Sequence, residues 1–357
     1  MSNDIDLLDE EIKTMKNNIY TDRMDMSFGE IISMYERDEI SIDPEFQRLY
    51  RWDDAQKTRF IESLLLGIPV PPIFVAENEK DGTWEIVDGL QRLSTLFSFF
   101  GFLKSMPDKN KWELGEGDLV KGLKGYSVSN LPSKFQLNIR RASCRIEIIK
   151  CQSDMAVRYE LFNRLNTGGS TLTEQEIRNC IFRGVSNKFN RQLSESANNE
   201  RFLLLIDPTE KQISELFLDE LVLRFLSLVD YRADILEGKL SRYMTKYMEK
   251  MVKNNEDQTL NLKLLTRVTD LLLSSGCDVK TFRFNRGGFS SSLYDAVMIG
   301  IAKNIDYYEQ KQEEVKNRVS KIKEDKEFRN STGSGTGTIT QVMKRIDIAL
   351  SVFNDRS

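Results

Sequence analysis

The stretch from Trp84 to Phe97 constrains this chain most. Trp84-Glu85-Ile86-Val87 is rich in β-branched and aromatic types and reads as the end of a strand. Asp88-Gly89 breaks that pattern: Asp is a good N-cap, and Gly lets another backbone or a ligand come close. Leu90, Leu93, Leu96, Phe97 and Phe100 then fall at helical spacing on one face, while Gln91, Arg92 and Thr95 lie elsewhere on the cylinder. The first turn of that helix offers free N–H groups, a positive dipole end and a guanidinium fork, a setting that suits a phosphate. A capped core helix with a solvated arginine would use the same residues, and both readings stand at this point.

The flanking sequence builds a frame for the corner. Asp53 with Gln56 has the spacing of a capping box, Phe60, Ile61, Leu64 and Leu65 form the buried stripe of the helix behind it, and Gly67 and Pro69 stop it. Pro71 to Ala76 and Thr83 to Val87 read as the two strands of a hairpin around Lys80-Asp81-Gly82. Upstream, Ile42 to Trp52 has no helical period and is crowded with aromatic and basic residues, fit either to hold bases and phosphates or to pin a loop to the core. Downstream, residues 101–135 scatter glycines through polar sequence and read as an irregular, mobile insertion. Arg140 to Ile149 reads as a strand with a basic lead-in, its Ala142, Cys144, Ile146 and Ile148 on one face.

Histidine is absent from all 357 residues. That excludes Ser-His-Asp and Cys-His catalysis, His-ligated zinc and every His-dependent nuclease. Carboxylates, Arg, Lys, amides and hydroxyls remain, with a divalent ion where chemistry needs one. The formal charge of −4 gives no global signal for nucleic acid, so a basic groove has to be local. Cys144, Cys151, Cys180 and Cys277 lack metal-ligand spacing and read as reduced, buried thiols. With no apolar run of membrane-spanning length and no signal-peptide core at the N-terminus, the expected location is cytoplasmic and no membrane partner is expected.

A second distinctive stretch runs from Asn163 to Asn179. Thr173 and Glu176 form a capping box, which leaves Asn166 to Ser170 as a Gly-rich loop between two helices. It is either an anion nest or a plain turn that needs Gly168 or Gly169 at positive φ. From residue 186 onward the chain reads as helical: Leu216–Val229, Ile235–Val252, Leu260–Leu273, Ser292 to about Lys323 and Ile339–Phe353. The expected fold class is therefore α+β, a small mixed domain at 1–185 followed by an all-α domain at 186–357.

Four blocks occur in order: Pro44…Gln47-Arg48-x-Tyr50-x-Trp52, Pro69-x-Pro71-Pro72-Ile73, Asp88-Gly89-Leu90-Gln91-Arg92-Leu93-Ser94-Thr95-Leu96, and Asn166-x-Gly168-Gly169…Leu172…Glu176…Asn179. Together they resemble the N-terminal domain family of GmrSD-type restriction endonucleases, which has a ParB/sulfiredoxin-like fold and a DGQQR signature. The resemblance implies defence against phage, binding and hydrolysis of a nucleoside triphosphate with a divalent metal such as Mg, and action on DNA. It implies Asp88, Gln91 and Arg92 as catalytic residues, Asp88 as the metal ligand, and Gln47, Arg48, Gly89, Asn166, Gly168 and Gly169 around the nucleotide. Leu90 replaces the first Gln of the signature, on the apolar face of the helix. A His-dependent nuclease domain is impossible here, so cleavage falls to the first domain or to a separate nuclease subunit. The alternative is a non-catalytic nucleotide- or DNA-sensing module that regulates a partner nuclease. A homo-oligomer is compatible with either.

Overall fold

The computed structural model describes residues 2–17, 20–42, 52–78, 81–104, 106–150, 155–165, 172–183, 187–231, 238–284, 287–333 and 337–354. The chain divides into two compact units, Met1–Leu172 and Thr173–Ser357. The boundary lies ahead of the expected 185/186, because the helix over Glu174–Arg183 packs with later helices.

In the first unit, α1 (Ser2–Asn17) precedes β1 (Thr21–Ser27), α2 (Phe28–Glu36) and β2 (Ile40–Ser41). Then come α3 (Asp54–Leu66), β3 (Ile73–Glu77), β4 (Trp84–Asp88), α4 (Leu90–Phe100), α5 (Ser133–Arg141), β5 (Ser143–Ile149) and α6 (Met155–Leu165). The five strands form one sheet in the order β1-β5-β3-β4-β2. β1 runs antiparallel to β5 and β3 antiparallel to β4, whereas β5/β3 and β4/β2 are parallel. An α+β class is thus observed, with the strands confined to the first unit among the described residues.

Local rules explain most elements. α3 starts at the expected box, Asp53 accepting from the Gln56 N–H and Gln56 from the Asp53 N–H, and ends on Gly67 at φ 69°. Phe28, Ile31, Ile32 and Tyr35 bury one face of α2. Tyr35 stacks on Phe97 with ring centroids 4.0 Å apart, and Phe28 meets Phe60 edge-on at 6.2 Å. These rings join α2, α3 and α4 into one core.

Three readings of the elements in the first unit need correction. The insertion at 101–132 is irregular but tied down: Thr58 accepts from the Gly115 N–H at 2.8 Å, and buried Glu62 accepts from Leu119 and Val120 at 2.9 and 2.7 Å. Trp112 donates to Ser98 at 2.8 Å and packs edge-on against Phe99. Arg140 and Arg141 close α5 instead of leading a strand, since a helix begins directly after Pro132 and β5 starts only at Ser143. Asp88 is not the N-cap of α4; Gly89 holds that position.

The second unit is helical, from α7 (Glu174–Arg183) to α18 (Ile339–Asn354), with only the isolated bridges Lys239/Thr338 and Arg283/Phe289 among the described residues. Thr173 and Glu176 form the expected capping box, each accepting the other's N–H at 3.2 and 2.6 Å. The single helix expected over 292–323 is three: Ser291–Ala302, Ile305–Gln310 and Gln312–Glu324. Fully buried Arg178 donates to Gln175 and Thr245 at 3.0 Å and to Ser241 at 3.1 Å. Arg224 and Asp295 form a second buried pair, with Nη2 to Oδ2 at 2.7 Å. No described helix is long and apolar enough to cross a membrane.

Candidate functional site

β4 carries the chain to Asp88 at its last position, and α4 begins two residues later. Only glycine fits between them. Gly89 has φ 99°, and a Cβ there would lie 2.9 Å from Ile73 Cγ1 and 3.3 Å from Arg92 Nη2. Among the described residues no side chain caps α4 at Gly89, and its first internal bond runs from the Leu93 N–H to the Gly89 carbonyl at 2.9 Å. The corner therefore presents an uncapped helix start at the end of a central strand.

The Arg92 guanidinium turns back over this corner. Its Nη2 donates to Asp88 Oδ2 at 2.9 Å and to the Pro72 carbonyl at 3.1 Å, and its Nη1 donates to the Pro71 carbonyl. Neither proline can supply an N–H to a ladder, but both carbonyls remain acceptors, and the planar fork spans them. The side chains of Asp88 and Arg92 are 24% and 11% exposed, so the pair is shielded while Asp88 keeps an open side. Burial pushes the Asp88 carboxyl up, against the opposing pull of Arg92 and the Gly89 N–H. Burial likewise lowers Arg92, with Asp88 and Cys144 acting the other way.

Gln91 faces a different neighbour. Its Oε1 accepts from the Trp52 N–H at 3.1 Å, and the Trp52 ring packs edge-on against Phe60. This bond joins the first turn of α4 to the chain entering α3. Of the residues expected at the site, the structure brings together Asp88, Gly89, Gln91 and Arg92 on one corner. Gln47, Arg48, Asn166, Gly168 and Gly169 lie outside the described residues.

Sequence reasoning missed the role of Pro71, Pro72 and Cys144. Cys144 is buried on β5, with its thiol 3.9 Å from the Pro71 carbonyl and pushed up by burial. The Pro71-Pro72 pair is a visible signal, but nothing in the sequence marks its two carbonyls as partners of Arg92. The Ser94 hydroxyl, farther along α4, is buried without a hydrogen-bond partner among the described residues.

No group of three or more Asp, Glu, Cys or His side chains converges among the described residues, and Asp88 Oδ2 already faces a guanidinium. What the arrangement can do is hold a shielded carboxylate of raised pKa beside a helix start that favours anions.

Residues 28–183 fit the sequence model of the family described as GmrSD restriction endonuclease, N-terminal domain. No curated protein and no solved structure matches the chain.

Proposed function

Residues 28–183 belong to the GmrSD restriction endonuclease N-terminal domain family, and from that premise we propose that the first unit binds and hydrolyses a nucleoside triphosphate and couples this to action on DNA. The family sets the chain in restriction and phage defence. On this reading the first unit has a ParB/sulfiredoxin-like fold. The observation that carries the proposal is the Asp88–Gly89 corner, where an uncapped helix start stands beside a shielded carboxylate.

The N–H groups at the start of α4 hold a phosphate. Asp88, its pKa raised by burial, orients the attacking water and accepts its proton. Arg92 positions Asp88 and the Pro71-Pro72 strand entry, and Gln91 positions the Trp52 segment. Gln47, Arg48, Asn166, Gly168 and Gly169 complete the nucleotide contacts in this proposal. A Mg ion accompanying the triphosphate would be held chiefly by phosphate oxygens.

A second reading is a nucleotide- or DNA-sensing module that regulates a partner nuclease without turnover. The commitment of the Arg92 guanidinium to Pro71, Pro72 and Asp88 favours it, because a guanidinium so engaged does not stabilise charge on a transferring phosphoryl group. Phosphate release from each nucleoside triphosphate, with and without DNA, separates the two for wild type and Asp88→Asn. Turnover in wild type and its loss in Asp88→Asn, with nucleotide binding retained, supports hydrolysis. Binding without turnover in both supports sensing, and absence of binding in wild type overturns both.

A further inference from the structure

β1 (Thr21–Ser27) is an edge strand, and its outer side meets no other strand among the described residues. Long open edges are usually blocked, because their unpaired backbone groups template association. This edge runs seven residues without proline or bulge, and Thr21 through Asp25 are exposed.

The backbone parity of β1 is fixed by its neighbours. The Lys150 N–H donates to the Tyr20 carbonyl at 2.9 Å, and the Phe28 N–H donates to the Ala142 carbonyl at 3.0 Å. Even-numbered residues thus face β5, and Thr21, Arg23, Asp25 and Ser27 turn their N–H and C=O groups outward. Among the described residues the outward Arg23 N–H is met only locally, by Asp22 Oδ1 at 2.8 Å.

From this edge we infer that two copies of the chain pair antiparallel through β1, centred on Met24, joining two five-stranded sheets into one. In that register Met24 faces Met24 of the other copy as a non-hydrogen-bonded pair, and Arg23 faces Asp25 as a hydrogen-bonded pair, as the parity requires. Charge makes the register self-complementary. Within one copy Arg23 lies opposite Glu147, and Asp25 opposite Arg145, to which it is bonded at 3.1 Å. Across the joint the row therefore reads Glu147, Arg23, then Asp25 and Arg145 of the second copy, alternating in sign at every step.

Apolar surface lies at the same edge. Met24 is 41% and Tyr20 46% exposed. α1, which leads into this edge, leaves Ile5, Leu8 and Ile12 open at 66%, 56% and 45%, at the three-then-four spacing of one helix face. A strand pair alone is small for a stable dimer, and α1 supplies the additional apolar area.

Charge reversal tests the register. Arg23→Glu sets Glu against Asp25 in a homodimer, and Asp25→Arg sets Arg against Arg23. Each variant opposes its own pairing, yet a mixture of the two restores opposite charges at both crossings. Sedimentation equilibrium and native mass spectrometry of the full chain should show a wild-type dimer at about 10 µM. Each single variant should weaken it by about tenfold or more, and the mixture should form heterodimers of near wild-type affinity. Leu8→Glu should weaken the dimer about tenfold as well; a dimer of unchanged affinity removes α1 from the interface. A wild-type chain that stays monomeric at about 100 µM overturns the inference, as does a mixture no tighter than the single variants.

Discussion

Arg92 in the first turn of α4 and Asp88 at the end of β4 are bonded at 2.9 Å, and the same guanidinium holds the carbonyls of Pro71 and Pro72. One side chain thus fixes the start of the helix, the end of β4 and the entry to β3. An i, i+4 ion pair on an exposed helix contributes only a few tenths of a kcal/mol. This one is shielded and bonded to backbone besides, which puts it in a different class.

Arg92→Ala should therefore destabilise the first unit by about 1–3 kcal/mol, since it leaves a partly buried carboxylate and two carbonyls without their partner. Arg92→Lys should recover only part of this, because an ammonium cannot span two carbonyls and a carboxylate as a planar fork does. Denaturant melts of the two variants check the order. Wild-type stability in Arg92→Ala would show that the bonds contribute nothing net.

Asp88 sets a pH dependence with a definite sign. Burial raises its folded pKa above the ordinary 3.8, so the folded state holds the proton more tightly than the unfolded one. Its contribution to stability is full below the unfolded value and is lost as pH rises through the folded value. The stability of wild type minus that of Asp88→Asn should fall across that window and be flat above it. Carboxyl NMR titration should place the Asp88 midpoint above 3.8; a midpoint below it would reverse the sign.

Gly89→Ala should be severe for one methyl group. The new Cβ meets Ile73 Cγ1 at 2.9 Å, and φ of 99° is strained for any L side chain. Together these predict a loss of about 2–4 kcal/mol by thermal melting. Pairing Gly89→Ala with Ile73→Val should recover little of it, because valine keeps both γ carbons that the new Cβ meets.

What sequence could reveal here was what short-range chemistry encodes. The Asp53–Gln56 and Thr173–Glu176 boxes lie three residues apart and were legible, as were the hairpin and the Gly89 corner. β1 was not legible: Thr-Asp-Arg-Met-Asp-Met-Ser has no alternating apolar face, because an edge strand buries little. The target of Arg92 was hidden for another reason. Its proline partners lie 20 and 21 residues upstream, and helical spacing alone gives a guanidinium no destination. Nor do scattered glycines in 101–132 reveal that their loop wraps side chains of α3.

That loop supplies the last prediction. Glu62 is 2% exposed, and its Oε1 accepts both the Leu119 and Val120 N–H groups, while Gly117 packs so close that a Cβ would reach within 2.4 Å of the same oxygen. A carboxylate oxygen taking two backbone N–H groups closes a loop that has no ladder of its own. Glu62→Ala removes that acceptor and leaves two N–H groups to find water. The expected loss is about 1–3 kcal/mol, with faster amide exchange at Leu119 and Val120 and little change at Gly115, which Thr58 holds independently. Glu62→Gln keeps one acceptor oxygen and should fall between. Unchanged exchange at Leu119 and Val120 in Glu62→Ala would mean that the loop holds its shape without α3, and that the buried carboxylate serves another purpose.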